Sequence, residues 1–423
     1  MSASRTKEHR PFLVVANSSW YLMHYRQLLL ETLQCRGDHV VALSPVDSAT
    51  PELSRLLVHI PWRILRSTDA NPFSLVISFL RMLFLVRAIK PRLVHSHTLK
   101  ANLLAVIVTS FFGVPCVLSF AGLGRLSKAR GFSRMAFLLV LKIIAFFSAY
   151  QRCSRWCWKS APLRTALIFQ NPIDQTLFQT ALPNVSNKQI HLIPGSGVPI
   201  RFFGPGLCQP VNQWCSDPIS SPVCDLLYCG RLLRSKGIGT FLELASQLDN
   251  HRFTAFGGID PSSKDSLSSH DLSRLRQEHS NVFFADSQDD PLLNLNSDFP
   301  VLLVPSNYGE GLPRAVVEAL ALRIPVITSR SASCGIFSSD IVYISDGDSS
   351  ADYEDCLDHL VADYFSGLLH SRIQSGYQFV EQHLSERVVV QKTMALYESL
   401  QAEHAESYLL DKDDDRLRHW LAQ

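Results

Sequence analysis

The stretch VLLVPSNYGEGLPRAVVEALALRIPVIT, residues 301–328, decides the fold. Val301–Val304 is a short apolar run bounded by Pro305 and Ser306, which reads as a buried strand. Ala315–Leu322 has the filler of a buried helix. Pro313 suits the first turn of that helix, where its missing N–H is not needed. Val326–Thr328 is a second buried strand. Strands alternating with a helix imply a parallel sheet in an α/β domain.

The same alternation runs outward in both directions. Strands are expected at Leu226–Cys229, Phe253–Phe256, Val282–Ala285 and Val342–Ile344, with a helix over Thr240–Leu248. The chain before them repeats the scheme. Strands fall at Phe12–Ala16, Val40–Leu43, Leu93–His95 and Cys116–Phe120, with helices over Tyr25–Gln34 and Leu75–Lys90. The turn cluster Pro194-Gly195-Ser196-Gly197 separates the two series. The expected fold is α/β: two Rossmann-like domains facing across a cleft, residues 1–198 and 199–375. A helical segment, 376–423, would pack back toward the first domain. Residues 208–224 read as an irregular excursion, and DKDDDRLRHW (411–420) as a charged helix or frayed end.

Composition narrows the partners. The net charge of +2 conceals a division: residues 1–198 hold 23 Lys and Arg against 7 Asp and Glu, and the remainder 17 against 31. Between Asp69 and Asp174 there is no acid and there are 14 basic residues. Such asymmetry points one half toward an anionic partner. No nucleic-acid-reading motif is present, which leaves an anionic membrane surface. Phe137–Tyr150 is apolar apart from Lys142. Arg125, Lys128, Arg130 and Arg134 precede it, and Arg152, Arg155 and Lys159 follow, with Trp156 and Trp158. Residues 101–124 carry no charge, but Gly113-Val114-Pro115 breaks them into a helix (Asn102–Phe112) and a strand rather than a span. The apolar run FLVVA near the start is too short for an export signal. The ten cysteines form no C-x-x-C and are expected as buried thiols.

The chemistry gathers where strands end. Glu310 lies in the loop after Val301–Val304, and Glu318 lies inside the following helix. The helix rise alone separates Pro313 from Glu318 by about 7.5 Å, so the two carboxylates are expected roughly 10 Å apart. A hydrolase acid/base pair needs about 5–9.5 Å. The wider spacing suits a ligand with hydroxyls at both ends and an anionic middle, such as a nucleotide sugar. The helix N-terminus between them favours phosphate. A second strand-end loop, YCGRLLRSKG (228–237), supplies Gly230, Arg231 and Lys236, whose cations can neutralise a diphosphate without a metal. Asp346-Gly347-Asp348 has the spacing of a metal-binding pair but reads as a turn, so no metal is expected.

Taken together, these motifs make the chain resemble the retaining GT-B glycosyltransferases of family 4, of the bacterial polysaccharide and O-antigen type. The resemblance covers nearly the whole chain. It is carried by SWYLMHYR, VHSHTLK (94–100), AGLGRL (121–126), FQNPIDQTLF (169–178), LIPGSGV (192–198), YCGRLLRSKG and PSNYGEGLPRAVVEALALRIPVI (305–327). It implies that Glu310 contacts donor-sugar hydroxyls, Glu318 the ribose, and the backbone at Gly311 and Leu312 the sugar and phosphate. Gly230, Arg231 and Lys236 would hold the diphosphate. His97 would lie under the donor sugar, with Lys100 nearby, and Gly122 and Gly124 would line the acceptor side. Four positions depart from the pattern: Arg323 before PVI, the loop SRSASCGIF (329–337), Ala121 before GLG, and Pro199 after GSGV.

The resemblance further implies front-face transfer, in which the leaving phosphate takes the acceptor proton and no residue acts as a covalent nucleophile. The donor would be a UDP-sugar, carrying an N-acetylhexosamine or a deoxy derivative, and no cofactor is implied. The acceptor would be a polyprenyl-diphosphate-linked saccharide used in surface-polysaccharide synthesis. The protein would be cytoplasmic and peripheral at the inner face of the cell membrane. A sugar-nucleotide epimerase of the same architecture and a non-catalytic partner subunit are the competing readings. Release of free nucleoside diphosphate in the presence of acceptor separates the three.

Overall fold

In the computed structural model, residues 10–62, 72–123, 131–152, 158–160, 164–199 and 222–402 are described, apart from 184, 262, 286–289 and 296. Gly124, Arg125, Lys128, Arg130, Arg155, Trp156, most of the 208–224 excursion and the 411–420 segment lie outside them. The chain divides into two compact units. The first joins residues 1–170, 174–196 and 389 onward; the second joins 171–173 and 197–388.

The first unit is built on a seven-stranded sheet, entirely parallel. Its strands are β1 (Phe12–Val15), β2 (Val40–Ser44), β3 (Val58–Pro61), β4 (Leu93–His97), β5 (Cys116–Phe120), β8 (Thr165–Phe169) and β9 (Ile190–Leu192). Their order is β3-β2-β1-β4-β5-β8-β9. A separate antiparallel hairpin joins β6 (Tyr150–Arg152) and β7 (Trp158–Ser160). Alternate residues of β1 serve opposite cores, as the period of two requires. Leu13 and Val15 pack with α3 (Pro72–Ile89), α4 (Leu99–Phe112) and α5 (Gly131–Ala149). Phe12 and Val14 pack with α1 (Ser19–Cys35), α2 (Thr50–Leu56) and α12 (residues 386–402). After β8 the chain enters α6 (Pro172–Ala181).

The second unit repeats the plan with six parallel strands. These are β10 (Asp225–Cys229), β11 (Arg252–Phe256), β12 (Val282–Ala285), β13 (Pro300–Val304), β14 (Val326–Ser329) and β15 (Tyr343–Ser345). The order is β12-β11-β10-β13-β14-β15. Its helices include α7 (Ile238–Gln247), α8 (Ser269–Glu278), α9 (Arg314–Ala321), α10 (Ser350–Ser366) and α11 (Leu368–Phe379). In both sheets the winding reverses next to the first strand, between β1 and β4 and between β10 and β13. Loops beyond the carboxyl ends of strands at such a reversal are the preferred ligand sites of this architecture.

Several boundaries move from their expected places. β4 runs through His97, so that histidine is inside the strand rather than just after it. α4 begins at Leu99 instead of Asn102, and ends at Gly113, whose φ of 63° makes a left-handed cap. Pro313 is the N-cap of α9 rather than a first-turn residue, with φ −66° and an extended ψ of 109°. Its carbonyl accepts from the N–H groups of Val316 and Val317. Residues 376–388 group with the second unit because Val380 and Leu384 join the core that contains Val316 and Leu320. Among the described residues no helix is long and apolar enough to cross a membrane.

Candidate active site

The reversal between β10 and β13 brings two loops together. Gly237, φ 81°, closes the turn after β10 where a Cβ would meet the Pro305 carbonyl oxygen at 2.1 Å. Only glycine permits that approach. The Asn307 N–H donates to the Ser235 carbonyl, a second tie between the same loops. Gly257, after β11, is pressed equally close to the Gly230 carbonyl. The loops after β10, β11 and β13 thus form one packed platform.

The charged groups on this platform are paired. Lys236 Nζ lies 2.9 Å from Glu310 Oε1, and both side chains are mostly buried. Gly230 lies under the Lys236 chain: a Cβ there would be 3.6 Å from its Cδ and Nζ. Arg231 donates to Asp260 Oδ2 at 2.7 Å and to the Tyr308 hydroxyl at 3.4 Å. The Tyr308 ring stands between the two cations, with Arg231 at 5.5 Å and Lys236 at 5.7 Å from its centroid. Glu318 is buried on α9 and paired with Arg314 one turn earlier. Burial raises its pKa, and the Arg314 guanidinium opposes that rise. Pro313 supplies no side-chain cap to the N-terminus of α9.

Gly230, Arg231, Lys236, Glu310, Gly311, Leu312 and Glu318 therefore share the strand-end face of one unit. The remaining expected residues belong to the first unit. His97 is wholly buried and neither ring nitrogen has a hydrogen-bond partner among the described residues. Its ring lies 4.0 Å from that of His95, which is held by the Tyr397 hydroxyl and by Ser119 Oγ. Lys100 is partly buried in the first turn of α4. Gly122, φ 97°, follows β5, and the next residue, Leu123, donates its N–H to the Asp174 carboxylate. Gly124 lies outside the described residues. Asp346, of the D-x-D turn, is paired with Arg330 and its side chain is 93% exposed.

Three partners escape a sequence reading: Asp260, Tyr308 and Arg314. The first comes from another loop. Tyr308 and Arg314 lie inside the quoted motif, and only the fold turns them toward Arg231 and Glu318.

The two doubly wound sheets agree with what known proteins show. Residues 12–147 match the family described as Glycosyl transferase 4-like, and residues 221–369 that described as Glycosyl transferases group 1. The fold is that of solved glycosyltransferases. Sucrose-phosphate synthase from Thermosynechococcus elongatus superposes with a TM-score of 0.71 at 18% identity, over 93% of this chain and 99% of that one. HepE from Anabaena in complex with UDP-glucose gives 0.68 at 14%, over 93% and 100%. The protein is an enzyme of the GT-B glycosyltransferase class. Within that class it belongs to the family 4 type. One curated relative is the N,N'-diacetylbacillosaminyl-diphospho-undecaprenol alpha-1,3-N-acetylgalactosaminyltransferase of Campylobacter jejuni. It is 23% identical over 329 residues, 76% of this chain and 81% of that protein.

Proposed function

We propose that the enzyme transfers a sugar, an N-acetylhexosamine or a deoxy derivative, from a UDP-sugar to a lipid-diphosphate-linked saccharide, with retention at the anomeric carbon. The observation that carries the donor half is the Lys236–Glu310 pair beside Arg231 at the strand reversal. A nucleotide sugar replaces that pair in kind: its hydroxyls take Glu310 and its diphosphate takes Lys236, Arg231 and the N-terminus of α9. Glu318 receives the ribose. The leaving phosphate accepts the acceptor proton, so the protein's task is orientation and charge stabilisation. The relative's printed acceptor, a diphospho-undecaprenol saccharide, supports the lipid-linked substrate.

The acceptor places the enzyme at an anionic membrane surface on the cytoplasmic side. Two helices that both pack on α4 support this. α3 exposes Phe73, Leu80 and Phe84, and α5 exposes Met135 and Leu139 beside the exposed Arg134 and Lys142. Each cation near such a surface adds about 1 kcal/mol. Incubation with a panel of UDP-sugars and a lipid-diphosphate acceptor should release UDP with one donor and give an α-linked product from an α-linked donor. UDP release from none of them, or product of inverted configuration, refutes the reading. Flotation with vesicles should show binding to anionic but not neutral lipid, lost with Arg134→Glu and Lys142→Glu together.

A further inference from the structure

The loop that carries Glu310 is braced from behind by a residue far away in sequence. Asn171, 2% exposed, donates from Nδ2 to the Glu310 carbonyl oxygen at 3.2 Å and to the Gly311 carbonyl oxygen at 2.6 Å. The Cys334 thiol approaches the same Glu310 oxygen at 3.7 Å. Ser329 Oγ donates to the Ser306 carbonyl at 2.6 Å. A Cβ at Gly335, φ 66°, would meet Pro172 at 3.3 Å, so this turn packs directly on the segment after Asn171. The loop from Ser329 is one of the four departures from the family pattern, and here it supports the Glu310 loop.

The brace fixes two peptide planes. In a trans peptide the N–H points away from its own carbonyl, and none of the described peptide bonds is cis. Two successive carbonyls turned onto one amide nitrogen therefore send the N–H groups of Gly311 and Leu312 to the opposite side. Neither N–H meets a protein acceptor among the described residues, although Gly311 is buried. A buried backbone donor without a partner is costly and uncommon. These two stand at the entrance to α9, next to the Lys236–Glu310 pair.

We propose that Asn171 is a positioning residue for donor binding: it orients the Glu310–Gly311 and Gly311–Leu312 peptides so that their two N–H groups donate to the diphosphate. The proposal rests on the donor reading above. It is tested by calorimetry with UDP and with uridine, on wild type, Asn171→Ala, Asn171→Ser and Glu318→Ala, each checked by thermal melting. Asn171→Ala should weaken UDP about tenfold or more, since hydrogen bonds to a charged group are at stake. Uridine, which has no phosphate, should bind it as it binds wild type. Asn171→Ser, whose hydroxyl can still hold one carbonyl, should fall between. Transfer at saturating donor should fall in the same order. Equal loss of UDP and uridine, or loss of neither, overturns the proposal. So does failure of both Asn171 variants to fold, which would assign the side chain to the fold alone. Glu318→Ala should weaken UDP and uridine alike. If it changes neither while Asn171→Ala acts on UDP alone, the ribose assignment fails and the brace stands.

Discussion

The two units treat charge at their strand reversals in opposite ways. In the second, the described cations at the reversal are matched: Lys236 with Glu310, Arg231 with Asp260, Arg234 with Asp271, Arg314 with Glu318. In the first, the groups at the end of β4 are His95 and His97, both wholly buried. Burial holds both rings well below the usual histidine pKa, and the Arg26 guanidinium adds to it. Arg26 itself is buried, reaches the Tyr21 hydroxyl, and has no carboxylate partner among the described residues. Paired, partly wet charges can be exchanged for those of a ligand at modest cost. Desolvated neutral rings cannot be charged without a large penalty. On the proposed function, nucleotide recognition belongs to the second unit, and any contact from His97 requires its ring to be uncovered.

The sharpest break of this comparison is Lys236→Ala. In the proposed donor complex it removes a cation from the diphosphate, and it leaves Glu310 without its Lys236 partner. Transfer at saturating donor should fall about 10²–10³-fold, the usual loss for one donor to a developing oxyanion. Glu310→Ala should depress transfer but leave UDP affinity nearly unchanged, because Lys236 is then free for the phosphate. Calorimetry that finds UDP weakened equally by both changes would mean the pair does not divide between sugar and diphosphate. Next in size is Glu318→Ala, with UDP weakened about 10–150-fold. Wild-type affinity in that variant would reduce Glu318 to a buried helix acid.

The first unit is tested by acid. A histidine whose folded pKa is lowered leaves the unfolded chain binding more protons. Its contribution is intact above the unfolded value near 6.5 and is lost as pH falls below it, by up to about 1.4 kcal/mol per pH unit for each ring. Urea denaturation between pH 7.5 and 5 should show that loss, and His97→Asn should flatten it. An unchanged slope would show that the ring titrates freely. The smallest expected effect is that of a chelator on transfer: none. Activity that returns only with Mn²⁺ or Mg²⁺ would reopen Asp346 and Asp348 as ligands.

The central strands of both sheets are legible in sequence because they are buried on both faces and so appear as unbroken apolar runs. The edge strands β3 (VHIP) and β9 (IHL) are only partly buried, and their composition does not set them apart from loops. β8 (TALIF) is apolar enough to be read, but it is short and follows residues with no clear element. The residues proposed to hold the donor are legible because each lies in a contiguous motif. What the motifs do not disclose is pairing. The motifs point Lys236 to the diphosphate and Glu310 to the sugar separately, and the fold joins the two side chains. Asn171 and Glu310 are 139 positions apart, and no local pattern signals that one braces the other.

The last described helix carries a consequence for biosynthesis. Val389, Val390, Met394 and Tyr397 complete the core that Phe12 and Val14 begin, and Tyr397 also caps His95. A ribosome therefore finishes the whole second unit before it delivers the piece that closes the first. Throughout that interval the α1 side of the first sheet lacks its cover, and a nascent chain arrested before residue 389 carries an open apolar face. Chains that lack this helix should be held by chaperones or aggregate, while their second unit is already folded.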